Sequence, residues 1–135
     1  MTSDLRRRLE SADHGVLSTL HPERGVDAVP ACFAVDGDLV GIPIDTVKAK
    51  RSTNLGRLHN LERDPRATLL VERWDRDDWS QLWWVRASLE HTTPDPAAHE
   101  RFVALLERKY PQYTAGTIDT VILLTIVDLA GWSAT

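Results

Sequence analysis

Seven basic side chains, Lys48, Lys50, Arg51, Arg57, Arg63, Arg66 and Arg73, crowd into one stretch that holds only Glu62, Asp64 and Glu72 as acids. Within it Leu55, Leu58 and Leu61 recur every three residues, a spacing that predicts a short helix with one apolar stripe and with Gly56, Arg57 and Asn60 on the opposite side. Lys48, Lys50 and Arg51 precede that helix. Its N-terminus already carries a positive partial charge, so for helix stability alone they have the wrong sign. A bound anion corrects the mismatch. Exposed amides, a cap at Ser52, Thr53 or Asn54, and nearby basic side chains make a phosphate site of a common physical type. The alternative is a solvated basic face, since surface charge clusters are ordinary.

Two further features carry chemistry. Pro30 interrupts a β-type run from Val26 to Val35, so it belongs at an edge or bulge, where the backbone from Pro30 and Ala31 to Phe33 can face a ligand. Trp79, Trp83 and Trp84 fall within six residues on what reads as a strand, and alternate side chains of a strand point opposite ways. They cannot all enter one small core, so at least one lines a pocket or an interface, and Trp79 is counted among the cofactor-binding candidates. Familiar catalytic patterns are absent: there is no GxSxG elbow, no GxGxxG, no P-loop lysine motif and no HExxH among the five histidines. Asp77 and Asp78 are adjacent, point apart on an extended segment, and fit a solvated loop better than an acid/base pair. What remains suits a bound aromatic cofactor. Its ring would lie on the strand edge near Pro30 and Ala31, its phosphate would reach Lys48, Lys50 and Arg57, and the cofactor would carry the hydride chemistry. Asn60, on the same helix face as Arg57, joins these contacts.

The elements that must position these residues follow from local signals. Ser3 caps a first helix with Leu5, Leu9 and Ala12 on one face, ended by Gly15. Strands are expected at Val16 to Leu20, Val26 to Val35, Leu39 to Ile44, Ala67 to Val71, Trp79 to Arg86 and Thr120 to Val127. Asp36-Gly37 marks a hairpin. Asp64-Pro65 stops the basic helix, and a third helix starts at Pro94-Asp95-Pro96, with Asp95 as cap, and stops at Tyr110-Pro111. Six strands with three helices between them give a small antiparallel barrel of α+β type.

The chain has 135 residues, 42% of them hydrophobic, enough for one domain spanning residues 1–135 with its own core. A net charge of -4 argues against general nucleic-acid affinity. The single cysteine, Cys32, excludes an intrachain disulfide framework, offers no metal-type spacing and reads as core filler. No apolar stretch follows the N-terminal arginines as in a signal peptide, and the longest apolar run falls far short of the roughly 20 residues a spanning helix needs. A cytoplasmic protein without a membrane segment is expected.

The order of elements, and NLERDPRATLLV in particular, resembles the split β-barrel superfamily of pyridoxamine 5′-phosphate oxidase-like proteins. From Lys48 through DDWSQLWWVR the likeness is closer to its actinobacterial branch that uses the deazaflavin coenzyme F420. Thirteen arginines against three lysines, the usage of a GC-rich genome, agree with such a source. The resemblance covers nearly the whole chain. It implies a six-stranded split barrel, a homodimer with the cofactor at the subunit interface, and a cofactor phosphate held at positions Lys48, Lys50, Arg51, Asn54 and Arg57. The flavin mononucleotide (FMN) oxidases of the superfamily have an arginine and a lysine side by side where this chain has Gly56-Arg57. F420-dependent hydride transfer to a small organic substrate is therefore the expected activity. FMN-dependent oxidation is the alternative within the class, and a non-catalytic cofactor- or haem-binding protein is the alternative outside it.

Overall fold

The computed structural model describes the backbone of residues 3–45, 51–93 and 95–135, and the side chains of all of these except residues 45 and 51–55. The elements run α1 (Asp4–Ser11), β1 (Gly15–His21), β2 (Gly25–Ala31), β3 (Ala34–Asp36), β4 (Leu39–Asp45), α2 (Arg51–Arg63), β5 (Arg66–Arg73), a 3-10 turn (Trp79–Gln81), β6 (Trp83–His91), α3 (Pro96–Lys109) and β7 (Ile118–Ser133). The strands form one sheet in the order β2-β1-β5-β6-β7-β4-β3, antiparallel at every pairing described. Strands β2 and β3 stand at opposite ends of that order, yet only Cys32 and Phe33 separate them in the chain. The sheet must therefore roll until its two edges nearly meet, which makes a barrel split along one seam.

Among the described residues the strand count is seven rather than the expected six, because the run from Val26 to Val35 divides. Pro30 does not cause the break. It stays paired with Val16 on the edge strand β2, where a missing N–H is tolerated. The break falls two residues later, where α3 supplies partners for the backbone. The Phe33 N–H donates to the Tyr110 hydroxyl (3.0 Å), and Lys109 Nζ donates to the Phe33 carbonyl (3.0 Å) while lying 4.0 Å from the Phe33 ring centre. The single proton of the Tyr110 hydroxyl goes to the carbonyl of Asp13 (2.8 Å) or of Phe33 (3.0 Å). Burial pushes this phenol up to about 12, and burial also lowers the Lys109 ammonium. Cys32, half-buried, sits in the seam rather than deep in the core.

The caps form as the sequence predicts: the Ser3 hydroxyl accepts from Arg6 N, and the Asp95 carboxylate accepts from Ala97 N ahead of Pro96. The hairpin turn is Gly37-Asp38, one residue later than Asp36-Gly37, since Asp36 pairs with Leu39 and Gly37 takes the positive φ of 60°. The unbroken apolar run in β7 has two faces to cover. Ile122 and Leu124 join the barrel interior with Leu17, Phe33 and Leu69, while Val121 and Leu123 pack under α3 against Phe102 and Leu106. Strand β7 also runs further than expected, to Ser133, and α1 braces it there. A Cβ at Gly131 would meet Leu5 Cδ2 at 2.6 Å and the Trp84 carbonyl at 2.7 Å, so glycine is what lets α1 close on the sheet.

Candidate functional site

The site is built between the free edge of β2 and α2. A three-residue turn joins β1 to β2 and needs glycine at Gly25, where φ is +83°. His21 Nδ1 accepts from the N–H groups of Glu23 and Arg24, both at 3.1 Å, which gives His21 a structural task and closes the turn. Asp27 follows on β2. Its carboxylate accepts from Arg24 Nε (2.7 Å) and Arg24 Nη2 (2.8 Å), and from the amide of Asn60 on α2 (2.8 Å). The Arg24 guanidinium first, and the Asn60 amide second, hold the Asp27 carboxyl well below the usual carboxylate range.

Asn60 is the link from this surface pair to the interior. It is 1% exposed, donates to the buried Thr19 hydroxyl on β1 (2.9 Å) and accepts from Arg63 (2.5 Å). The helix therefore does not leave Asn60 on the solvent side, as its apolar stripe predicts. Leu61 is buried as expected, but Asn60 is buried beside it, because Thr19 and Asp27 satisfy its amide. Asn60 is accordingly a structural tie among α2, β1 and β2.

Beside this tie lies an open cavity of about 280 Å³ lined by Arg24, Val26, Asp27, Ala28, Val29, Gly56 and Arg57. Two guanidinium groups against one carboxylate leave the lining with a net positive charge. A Cβ at Gly56 would meet nothing within 4 Å, so this wall is open rather than filled. The chemistry of the lining fits a phosphate or carboxylate.

The predicted site residues distribute unevenly around it. Arg57 is half-buried and lines the cavity. Arg51 and Asn54 lie in α2, which begins at Arg51 and so takes Ser52, Thr53 and Asn54 into the helix rather than leaving one as its cap. Lys48 and Lys50 lie outside the described residues. Pro30 is exposed further along β2, but the Ala31 side chain points into the core, leaving only its backbone for a ligand. Trp79 is not on a strand. Asp78 caps the 3-10 turn that holds it, and its ring is 66% exposed, 6.2 Å from that of Trp74. It is on the Pro30 end of the sheet but two strands away, and it does not line the cavity. The acidic loop is the solvated turn expected: Asp75 accepts from the N–H groups of Asp77 and Asp78. Arg24, Asp27 and Thr19 were not legible as site residues, for no short-range pattern brings them to Asn60.

The register also defines an outer face. Pro30, Val16, Leu70, Arg86 and Ala130 form one row across β2, β1, β5, β6 and β7, and Trp84 pairs with Trp132 in the next. Val16, Leu70 and Trp132 are exposed on it. Among the described residues no group of histidine, cysteine and acidic side chains can hold a metal ion, and no helix is long and apolar enough to cross a membrane.

No protein-family description matches the chain, and no curated protein matches it. Solved structures do. A conserved hypothetical protein from Mycobacterium tuberculosis superposes with a TM-score of 0.68 at 20% identity, covering 99% of this chain and 86% of that one. A protein described as an F420 reductase gives 0.63 at 21%, covering 96% and 98%. An FMN-binding protein from Syntrophomonas wolfei gives 0.68 at 15%, covering 96% and 87%. The chain has the α+β fold of the FMN-binding split barrels, with seven strands and three α-helices among the described residues.

Proposed function

We propose that this protein is a split-barrel oxidoreductase that uses coenzyme F420 and transfers a hydride between the deazaflavin and a small organic substrate. The observation that carries this reading is the cationic cavity between β2 and α2, with Arg57 on one wall and the edge strand on the other. It occurs on a fold shared with a protein described as an F420 reductase. When bound, the cofactor supplies the hydride chemistry. The chain's own part is to bind and orient: Arg57, with Lys48, Lys50, Arg51 and Asn54, holds the phosphate, and the β2 edge at Pro30 and Ala31 supports the ring. FMN is the second reading, favoured by the likeness to an FMN-binding protein; its phosphate asks for the same cations. Fluorescence titration with both cofactors decides the matter. F420 should bind more tightly; equal or tighter FMN binding transfers the assignment to the flavin, and binding of neither ends the reading.

The functional unit we propose is a homodimer in the cytoplasm, where Cys32 would stay reduced. The exposed row from Pro30 through Val16 and Leu70 is apolar, and a second copy covering it would end beside the ring-bearing edge of β2. Light scattering at micromolar concentration should report twice the chain mass, and Leu70→Asp should shift it toward the monomer. A wild-type monomer in the presence of cofactor would refute the dimer.

A further inference from the structure

Arg24 is held more firmly than a surface arginine needs to be. Its side chain is 62% exposed, yet its backbone N–H is fixed by His21 and its guanidinium by both oxygens of Asp27. Asp27 is fixed in turn by Asn60, and Asn60 by the buried Thr19 hydroxyl. An exposed ion pair three residues apart contributes little to stability by itself, so stability accounts for the buried Asn60–Thr19 end of this chain but gives no reason to fix Arg24 at its surface end. Order of this kind lowers the entropic cost of binding a partner, which is what a receptor requires.

The donor geometry agrees. Asp27 engages Nε and Nη2, which leaves Nη1 with two N–H groups directed away from the carboxylate. Arg24 lines the same small cavity as Arg57, from a different element and across the open wall at Gly56. We propose that Arg24 is a second anion-binding residue of this groove, positioned by Asp27 and Asn60, and that it takes a phosphate or carboxylate group that the ligand carries in addition to the one at Arg57. The groove would thereby favour ligands with two anionic groups over ligands with one. This rests on the cofactor reading only in taking the cavity as the anion site.

The test is calorimetric titration of the full chain with inorganic tripolyphosphate, with orthophosphate and with F420. Wild type should prefer tripolyphosphate to orthophosphate by about tenfold, the worth of one more charge-assisted contact. Arg24→Gln should lose most of that preference while orthophosphate affinity stays within about twofold. Arg24→Lys should recover part of it, and Asp27→Asn, which loosens the fork without removing the cation, should fall between wild type and Arg24→Gln. A merely structural role for Arg24 would not move the ratio of the two affinities. An unchanged ratio in Arg24→Gln overturns the inference, even where F420 still binds. An Arg24-dependent ratio with no F420 binding keeps the second anion site and removes the cofactor assignment instead.

Discussion

Arg57→Ala should weaken F420 binding by about ten- to a hundredfold, because a hydrogen bond to a charged group contributes roughly 1.5 to 3 kcal/mol. Arg57 lines the cavity from α2, and hydride transfer asks nothing of a guanidinium group, so the loss should fall on affinity. The melting temperature should hardly change. Raised salt should weaken the wild-type complex in the same direction, since contacts at an open cavity are screened. Lys50→Ala tests the same assignment at a position outside the described residues. If α2 presented only a solvated basic face, removing either side chain would alter binding and stability by less than about 0.5 kcal/mol. Two variants that bind like wild type would therefore remove the phosphate site from this helix.

Asn60→Leu should lower unfolding stability by about 2 to 4 kcal/mol, although leucine keeps the branched heavy-atom skeleton of asparagine. Asn60 is 1% exposed and joins three elements through Thr19, Asp27 and Arg63. Replacing it leaves the Thr19 hydroxyl without that partner in the interior, and one lost partner at a buried site costs more than a bond made at the surface gains. A urea transition should move to lower concentration with its slope unchanged, the mark of lost stability rather than a changed unfolded state. Asn60→Asp gives a sharper version. It sets a second carboxylate 2.8 Å from that of Asp27, so the loss should be larger at neutral pH and shrink in acid, where the pair can share a proton. A wild-type transition for Asn60→Leu would mean that Leu61 alone docks the helix.

The two variants separate what each residue does on one short helix. Asn60→Leu lowers stability and, by freeing Asp27, also loosens Arg24. Arg57→Ala acts on the ligand alone. Comparing their effects on F420 affinity with their effects on the urea midpoint therefore distinguishes a wall of the cavity from the tie that holds the wall in place.

Features set by residues within one turn of each other were legible in the amino-acid order. Ser3 and Asp95 cap their helices, Pro65 ends α2, and Arg57 of the basic cluster lines a cavity. These rest on dihedral preferences, on hydrogen bonds spanning three or four residues and on local charge, all carried by neighbouring side chains. The tertiary structure decided the rest. The break at Phe33 depends on Tyr110, 77 residues away; Asn60 turns inward because Thr19 and Asp27 wait for it 41 and 33 residues earlier. Trp79 left its expected strand because Asp78 and Ser80 form a local cap that competes with pairing. A polar side chain such as Asn60 faces water or the interior according to whether partners exist inside, and those partners are assembled only when the sheet rolls and brings β1 and β2 under α2.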